Sequence, residues 1–583
     1  MKAIVTSLVT EALGKLPEIA AIAADIPVNT TVERTRDPGH GDMASNVAMR
    51  LAKPARSNPR ELAAAIIDNL PESDLIDKVE IAGPGFINFH LSARAFHTEL
   101  QITLEQGPDY GRQPHRTRPR ILLEFISANP TGPLHVGHGR HAAFGATLGN
   151  LLEANGYDVE REYYINDAGR QMDILGLSVW LRWLETRGTT VPFPSAGYRG
   201  DYISDIAASI NTDGVAAASL EDILDGVPAD EPGGDKEEHI AALIAKARSL
   251  LGDDTFHQVR QQSLEAICRD IEDDLVAFGV SFDHWYSEQS LERDGRIDAA
   301  LTVLEERGML YKQDGATWFR ATDFGDEKDR VVVRENGVKT YFASDIAYHF
   351  DKRQRDFDYL IDILGADHHG YVARLRAGLE GMGYAADDLE VKLMQFVALY
   401  RGGDKLAMST RSGEFVTLRQ LREEVGNDAA RFFYVMRSND QHLDFDLELA
   451  KSRSNDNPVY YIQYAHARIA SVFRQLNEKS LVWNAEHGSL SLDTLAEPQE
   501  KALMTSLSRY PEVLELAAVN RAPQHLVHYL RDLANDFHTY YNAHVFLVDD
   551  AALRDARLTL ISAARVVIAN GLGILGVSAP DSM

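Results

Sequence analysis

The sequence predicts a multidomain α/β protein, and three observations carry that expectation. A chain of 583 residues is too long for one hydrophobic core. A short apolar strand, a helix with an apolar stripe and a second strand follow one another between residues 120 and 165, the unit from which parallel sheets are built. From about residue 420 onward the apolar pattern is nearly all helical. The expected architecture is a Rossmann-like parallel-sheet domain over 118–415, preceded by a small α+β domain over 1–112 and followed by an all-α domain over 416–583.

Taken in order, "MKAIVTSLVTEALGKLPEIAAIAADIPV" places Ile4, Leu8, Ala12 and Leu16 at helical spacing, while Glu11 and Lys15 interrupt the apolar run. This reads as a surface helix and not an export signal. "DKVEIAGPGFINFHLS" turns at Gly-Pro-Gly into a strand with Phe86, Asn88 and His90 on one side. The basic "GRQPHRTRPR", 111 to 120, reads as a linker, and "RILLEF" as a buried strand. The next helix carries Phe144, Leu148, Leu151 and Leu152 as its stripe until Asn155-Gly156 stops it, and "VEREYYIND" is the second strand. Residues 185 to about 250 contain the acidic, Gly- and Pro-rich "GVPADEPGGDKEEH" and read as an inserted surface linker. Strands are expected at Val331 to Val333 and Tyr359 to Leu364, then helices from "TLRQLREEVGNDAARFFYVMRS" to "ARLTLISAARVVIANGLGILG".

The 45% hydrophobic and 25% charged content is that of an ordinary globular protein, and no window is expected to reach the apolar length of a membrane span. The one cysteine, Cys268, cannot form an internal disulfide and reads as a core residue of a chain in a reducing cytoplasm. A net charge of −28 opposes nucleic-acid binding unless cations gather on one face. They do gather locally, in "GRQPHRTRPR" and "YYIQYAHARIASVFRQ", while acid collects in "EDILDGVPADEPGGDKEEH".

The chemistry concentrates at "ANPTGPLHVGHGR". His135 and His138 fall in the first turn of a helix, three apart and on one face, where free backbone N–H groups and the helix dipole favour an anion. Gly137, without a Cβ, lets a flat base or ribose approach. A competing metal reading rests on Asp367-His368-His369, but neither histidine cluster has the intervening Glu of a zinc-protease helix. A second piece, "GGDKLAMSTRSGEFVTLRQL" over 402 to 421, is a Gly-rich, hydroxyl-bearing loop with Lys405 and Arg411, able to bring cations onto a triphosphate.

Together the two pieces resemble the class I aminoacyl-tRNA synthetases, and "EFISANPTGPLHVGHGR", "AMSTRSGEFVTL", "GADHHGY" and "NPVYYIQYAHARI" resemble the arginyl-tRNA synthetase family within that class, over essentially the whole chain. The resemblance implies an arginine–tRNA ligase, with ATP and Mg2+, L-arginine and tRNA(Arg) as partners and a cytoplasmic monomer as its form. It implies ATP contacts from His135, Gly137, His138, Met408, Ser409 and Arg411, with His135, His138, Ser409 and Arg411 catalytic. It implies arginine contacts from Glu124, Ser127, Asn129, Tyr341, Asp345 and, more weakly, Asp367, since a guanidinium calls for carboxylates. Phe86 and Asn88 would meet a D-loop nucleotide, and Tyr461 and Arg468 the anticodon loop. The chain departs from the family's loop signature: Ala407 and Thr410 stand where lysines flank Met-Ser, and Gly132 where some members carry a compensating lysine, leaving Lys405 as the candidate replacement. The alternatives are a small-substrate nucleotidyltransferase, a non-catalytic tRNA-binding relative, and a metalloprotein built on Asp367-His368-His369.

Overall fold

The structure is a computed structural model that describes all residues except 24–27, 116–117, 212–214, 216 and 407–414. The first helix, Lys2–Gly14, buries Val5, Val9 and Leu13 against a four-stranded antiparallel sheet. In that sheet Phe86–Leu91 runs between Met43–Ser45 and Ile76–Ala82. Strand alternation sends Ile87, Phe89 and Leu91 into the core and Phe86, Asn88 and His90 to the other face.

Behind it stands a five-stranded parallel sheet in the order Leu389–Met394, Tyr359–Gly365, Arg120–Phe125, Asp158–Ile165, His284–Ser287. Arg120–Phe125 comes first in the chain and lies at the centre, with its residues from Ile121 onward buried, as a strand covered on both faces requires. The chain winds outward from it in one direction and then returns to its other side at Tyr359–Gly365. The strand order therefore reverses between these two strands, and the crevice beyond their carboxyl ends is where such sheets bind ligands. The helix Val136–Ala154 crosses this sheet so closely that a Cβ on Gly145 would lie 2.3 Å from the Phe125 ring.

The stretch read as a surface linker is largely a helical layer. Asp201–Ser209, Leu220–Leu224 and Lys236–Leu251 bury Ile203, Ile206, Ile223, Ile240 and Leu243, and the acidic turn over 226–235 lies mostly at the surface. The acidic composition of that turn masks the helical periodicity on either side of it. Arg330–Val333 is a strand, but of a separate three-stranded antiparallel sheet with Leu310–Gln313 and Ala316–Phe319. The helical region contains a strand as well, Leu443–Asp446, which follows the helices Leu418–Val425 and Asn427–Val435 and pairs in parallel with Val397–Arg401. Its alternation, Leu443 and Phe445 buried, is too short to stand out in a helical background.

The expectation about apolar length needs correction. Ala551–Leu575 has a window of mean hydropathy 1.8, enough by length and composition to cross a membrane, but 72% of that window is buried inside the protein. It is the central helix of the C-terminal bundle, and it backs the helix Val136–Ala154: Asn150 donates to the Ile574 carbonyl. The buried Arg431 adds a second tie, donating to the carbonyls of Leu575, Phe278 and Gly279. Cys268 is half-buried, and burial pushes its thiol up to about 12.

Candidate active site

At the reversal point the crevice opens into a cavity of about 900 Å³. His135, Gly137, His138 and His141 line one end, Glu124, Ser127 and Asp345 the other, and Asn129, Asp367, Gln395 and Phe396 complete its walls.

The histidine end is held by a reciprocal cap. His135 is the N-cap of Val136–Ala154, and its Nδ1 accepts from the Gly137 N–H at 3.0 Å and the His138 N–H at 3.4 Å. His138 Nδ1 in turn accepts from the His135 N–H at 3.3 Å, and the two rings stack 3.6 Å apart. The remaining early N–H groups go to backbone: Val136 donates to the Val416 carbonyl and Gly139 to that of His135. The N–H groups expected to meet an anion are thus satisfied internally. Because both Nδ1 atoms accept, both rings carry their proton on Nε2, and these two N–H groups are what the site offers a phosphate. Burial lowers the pKa of both imidazoles, His138 well below the usual value, so both are neutral donors. His141, one turn further, is pushed down to about 4 by burial and by Arg140. Gly137 has an internal role too, since a Cβ there would stand 2.8 Å from the His135 ring.

Residues 415 to 417 return onto this cap. His135 bridges Thr417 in antiparallel fashion, and Phe415 meets the His135 ring edge-on at 6.0 Å. Met408, Ser409 and Arg411 lie outside the described residues. Lys405 is exposed on the strand Asp404–Lys405 and lines a separate hollow with Phe396 and His442.

The carboxylate end begins with a backbone contortion. After Arg120–Phe125 the chain passes through two successive left-handed residues, Ile126 at φ 71° and Ser127 at φ 40°. A β-branched residue there costs on the order of 1–3 kcal/mol, strain of the kind that functional sites retain. The bend brings Ser127 Oγ back to Glu124 Oε1 at 2.8 Å, and the same hydroxyl accepts from the Tyr164 N–H. Asn129 is exposed at the rim and accepts from Asn166. Asp345 projects from the helix Tyr341–Gln354 and accepts from the Tyr371 hydroxyl. Burial pushes its carboxyl up, against the Tyr371 hydrogen bond. Tyr341, one turn outward, is 69% exposed and outside the cavity lining. Asp367, on the short 3-10 turn after Tyr359–Gly365, is exposed, with His368 the basic group beside it. No group of three metal-binding side chains converges there or elsewhere among the described residues.

Sequence reasoning missed the groups behind this wall. Lys352, fully buried, reaches Glu124 Oε2 at 2.5 Å and Asp362 Oδ1 at 2.8 Å, and His349 holds the other Asp362 oxygen at 2.8 Å. Glu288, pushed up to about 7 by burial and by the Asp345 and Asp167 carboxylates, has an unpartnered buried Oε2. A signal existed: Asp345, His349 and Lys352 stand at i, i+4 and i+7 on one helix face, opposite an aspartate inside the apolar "YLIDILG".

The remaining positions lie far along the chain from the cavity residues. Phe86 is 37% exposed on the N-terminal sheet, with Asn88 buried beside it. In the helical bundle Arg468 is clamped between the rings of Tyr464 and Tyr541, at 4.4 and 4.8 Å, and contacts His538, over which Tyr461 packs.

Three family models match in order: the arginyl tRNA synthetase N terminal domain over 4–91, the class I (R) tRNA synthetase catalytic domain over 99–451, and the DALR anticodon binding domain over 462–583. The arginine–tRNA ligase of Thioalkalivibrio sulfidiphilus is 57% identical over the whole of both chains, and that of Legionella pneumophila strain Philadelphia 1 is 54% identical, again over both in full. The Thermus thermophilus arginyl-tRNA synthetase structure superposes with a TM-score of 0.73 over all of both chains at 24% identity, a likeness of fold. With a strand-reversal cavity walled by capped histidines and buried carboxylates, and with these matches along its length, the chain belongs to the arginyl-tRNA synthetase family of class I.

Proposed function

We propose that this cavity performs the ligase reaction of the family as follows. The L-arginine carboxylate attacks the α-phosphate of ATP and pyrophosphate leaves; a ribose hydroxyl at the tRNA(Arg) 3′ end then takes the arginyl group from the adenylate, and AMP leaves. The carrying observation is the polarity of the cavity: neutral Nε2–H donors on a positive helix end at one side, and carboxylates in excess of cations at the other. The first suits a triphosphate, the second a guanidinium. Catalysis then rests on positioning and charge stabilisation, without a covalent enzyme intermediate. His135, Gly137 and His138 hold ATP, while Glu124 and Asp345 meet the guanidinium and Ser127 and Asn129 the amino-acid end. Tyr341 closes over the mouth when arginine is bound, and Asp367 lies at the rim. Mg2+ arrives on the ATP phosphates. Met408, Ser409 and Arg411 belong to the loop that closes on those phosphates. Arginine-dependent exchange of pyrophosphate into ATP, with and without tRNA(Arg), tests the reading. No exchange under either condition, with tRNA still bound, would instead favour a non-catalytic tRNA-binding relative.

The division of labour follows 1–112 for the D-loop, 118–415 for chemistry and 416–583 for the anticodon, in one cytoplasmic chain acting as a monomer. Phe86 stacks on a splayed D-loop base beside Asn88, and Tyr461 and Arg468 address the anticodon loop. Arg468→Ala is expected to raise the KM for tRNA(Arg) by about tenfold or more, from the loss of a charged hydrogen bond worth about 1.5–3 kcal/mol, with kcat at saturating tRNA retained. A KM within twofold of the parent would remove Arg468 from the tRNA surface. Lys405, the nearest cation before the loop, replaces the absent lysines; Lys405→Ala should slow single-turnover adenylate formation about tenfold, and unchanged kinetics would refute the replacement.

A further inference from the structure

We infer that Lys352 is a positioning residue for arginine selection: its buried ammonium holds one oxygen of Glu124, so that Glu124 meets the substrate guanidinium in one orientation. The inference rests on the proposed reading that Glu124 contacts the guanidinium. Glu124 is 7% exposed, and both of its oxygens are engaged, Oε2 by Lys352 and Oε1 by the Ser127 hydroxyl. A carboxylate held at both oxygens cannot rotate to follow a ligand, and its free lone pairs point where the frame directs them.

Lys352 is itself fixed from several sides. Asp362, on the neighbouring strand, takes a second N–H, and the ammonium lies 4.3 Å over the Tyr348 ring. Its own helix also brings His349, bonded to Asp362 and to the Asp345 carbonyl. From Asp158–Ile165 comes Glu162, which adds negative charge but is itself paired with Arg355 and Tyr348. Tyr164 lies on the cavity side, with Glu288 behind it. Burial works against the charge on Lys352, yet Asp362 and Glu124 raise its pKa above the ordinary lysine value. The same pairing holds Asp362 below the usual carboxylate range despite its burial. The carboxylate that meets substrate is thus one member of a closed cluster of two carboxylates about one ammonium, which keeps an excess negative charge for the guanidinium, and Asp345, with no buried cation paired to it among the described residues, supplies the second negative contact.

Without the ammonium, Glu124 loses the partner that fixes its Oε2, and the carboxylate can turn away from the guanidinium. In the full-length enzyme assayed by pyrophosphate exchange with tRNA(Arg), Lys352→Met is expected to raise the arginine KM about tenfold or more. The KM for ATP and kcat at saturating arginine stay within about twofold to threefold. Lys352→Met combined with Asp362→Asn removes one charge of each sign and supplies the same readout should the single variant misfold, and Lys352→Arg should restore the parent arginine KM. An arginine KM within twofold of the parent in the double variant overturns the inference, as does an arginine KM that Lys352→Arg leaves as high as Lys352→Met does. Glu124→Gln separates the two layers: a parent-like arginine KM there would remove Glu124 from the substrate site, whereas a raised KM there beside a parent-like Lys352→Met enzyme would remove Lys352 alone.

Discussion

Replacing Asp345 by asparagine is expected to lower kcat/KM for arginine by about 10²–10³ while leaving the KM for ATP within about twofold. Truncating one partner of a desolvated, hydrogen-bonded charge pair costs about 2–5 kcal/mol, and each 1.4 kcal/mol is a factor of ten. The substitution is nearly isosteric, and its carbonyl oxygen still accepts from the Tyr371 hydroxyl, so the wall stays in place while the negative charge is removed. The ATP end is untouched, because His135 and His138 are held by their own reciprocal cap. A pH signature accompanies the loss. In the free enzyme burial pushes Glu288 up to about 7, with Asp345 contributing to the rise, and burial raises Asp345 itself. A bound guanidinium favours the ionised forms, so the parent arginine KM should fall as pH rises from about 6 to 8. In Asp345→Asn one of the like charges behind Glu288 is gone, its pKa drops, and the slope should flatten. An Asp345→Asn enzyme with parent arginine kinetics would place the guanidinium elsewhere.

How far the sequence foretold this site follows from what local patterns encode. The strand Arg120–Phe125, the helix Val136–Ala154 and the strand Asp158–Ile165 were legible because apolar spacing and Asn155-Gly156 punctuation are local. His138 lies in the first turn as expected, whereas His135 stands one residue before the helix as its extended N-cap, and their mutual capping was not foreseen, because it depends on which ring nitrogen faces which backbone group. The order of strands in the central sheet, and with it the cavity, is a long-range property: Arg120–Phe125 and Tyr359–Gly365 are neighbours only after the chain has folded. For the same reason Glu124 and Asp345 could be named while Lys352 and Asp362, which tie the first of them down, could not. Composition misled once, where the acidic turn over 226–235 concealed the helices Asp201–Ser209 and Lys236–Leu251. An averaged hydropathy reading passed over Ala551–Leu575, whose apolarity is explained by its place at the centre of the bundle.

His138→Ala is expected to lower the rate of arginyl-adenylate formation by about 10²–10³, the usual loss for one preorganised donor to a transition-state oxyanion, with the arginine KM within about threefold. The side chain has two functions, and substitutions can separate them. Its Nδ1 accepts from the His135 N–H and its ring stacks on His135, so alanine also opens the cap at a cost of about 1 kcal/mol. Asparagine restores an acceptor near the Nδ1 position but does not reach as far into the cavity. His138→Asn should therefore recover most of the stability lost in His138→Ala and only a small part of the rate. If the two variants were equally slow and equally unstable, the rate loss would come from the opened cap and not from the missing donor. The pH dependence of stability supplies an independent check. Burial, with His135 and His141 adding to it, holds the His138 pKa well below 6.5, so below about pH 6.5 the unfolded chain binds a proton that the folded chain excludes. Stability must fall as the solution is acidified through that range, and both His138→Ala and His138→Asn should lose one proton's share of the slope. Protonation of Nδ1 would also turn the acceptor of the His135 N–H into a donor, which makes the depressed pKa a condition for the cap that presents both Nε2–H groups to ATP.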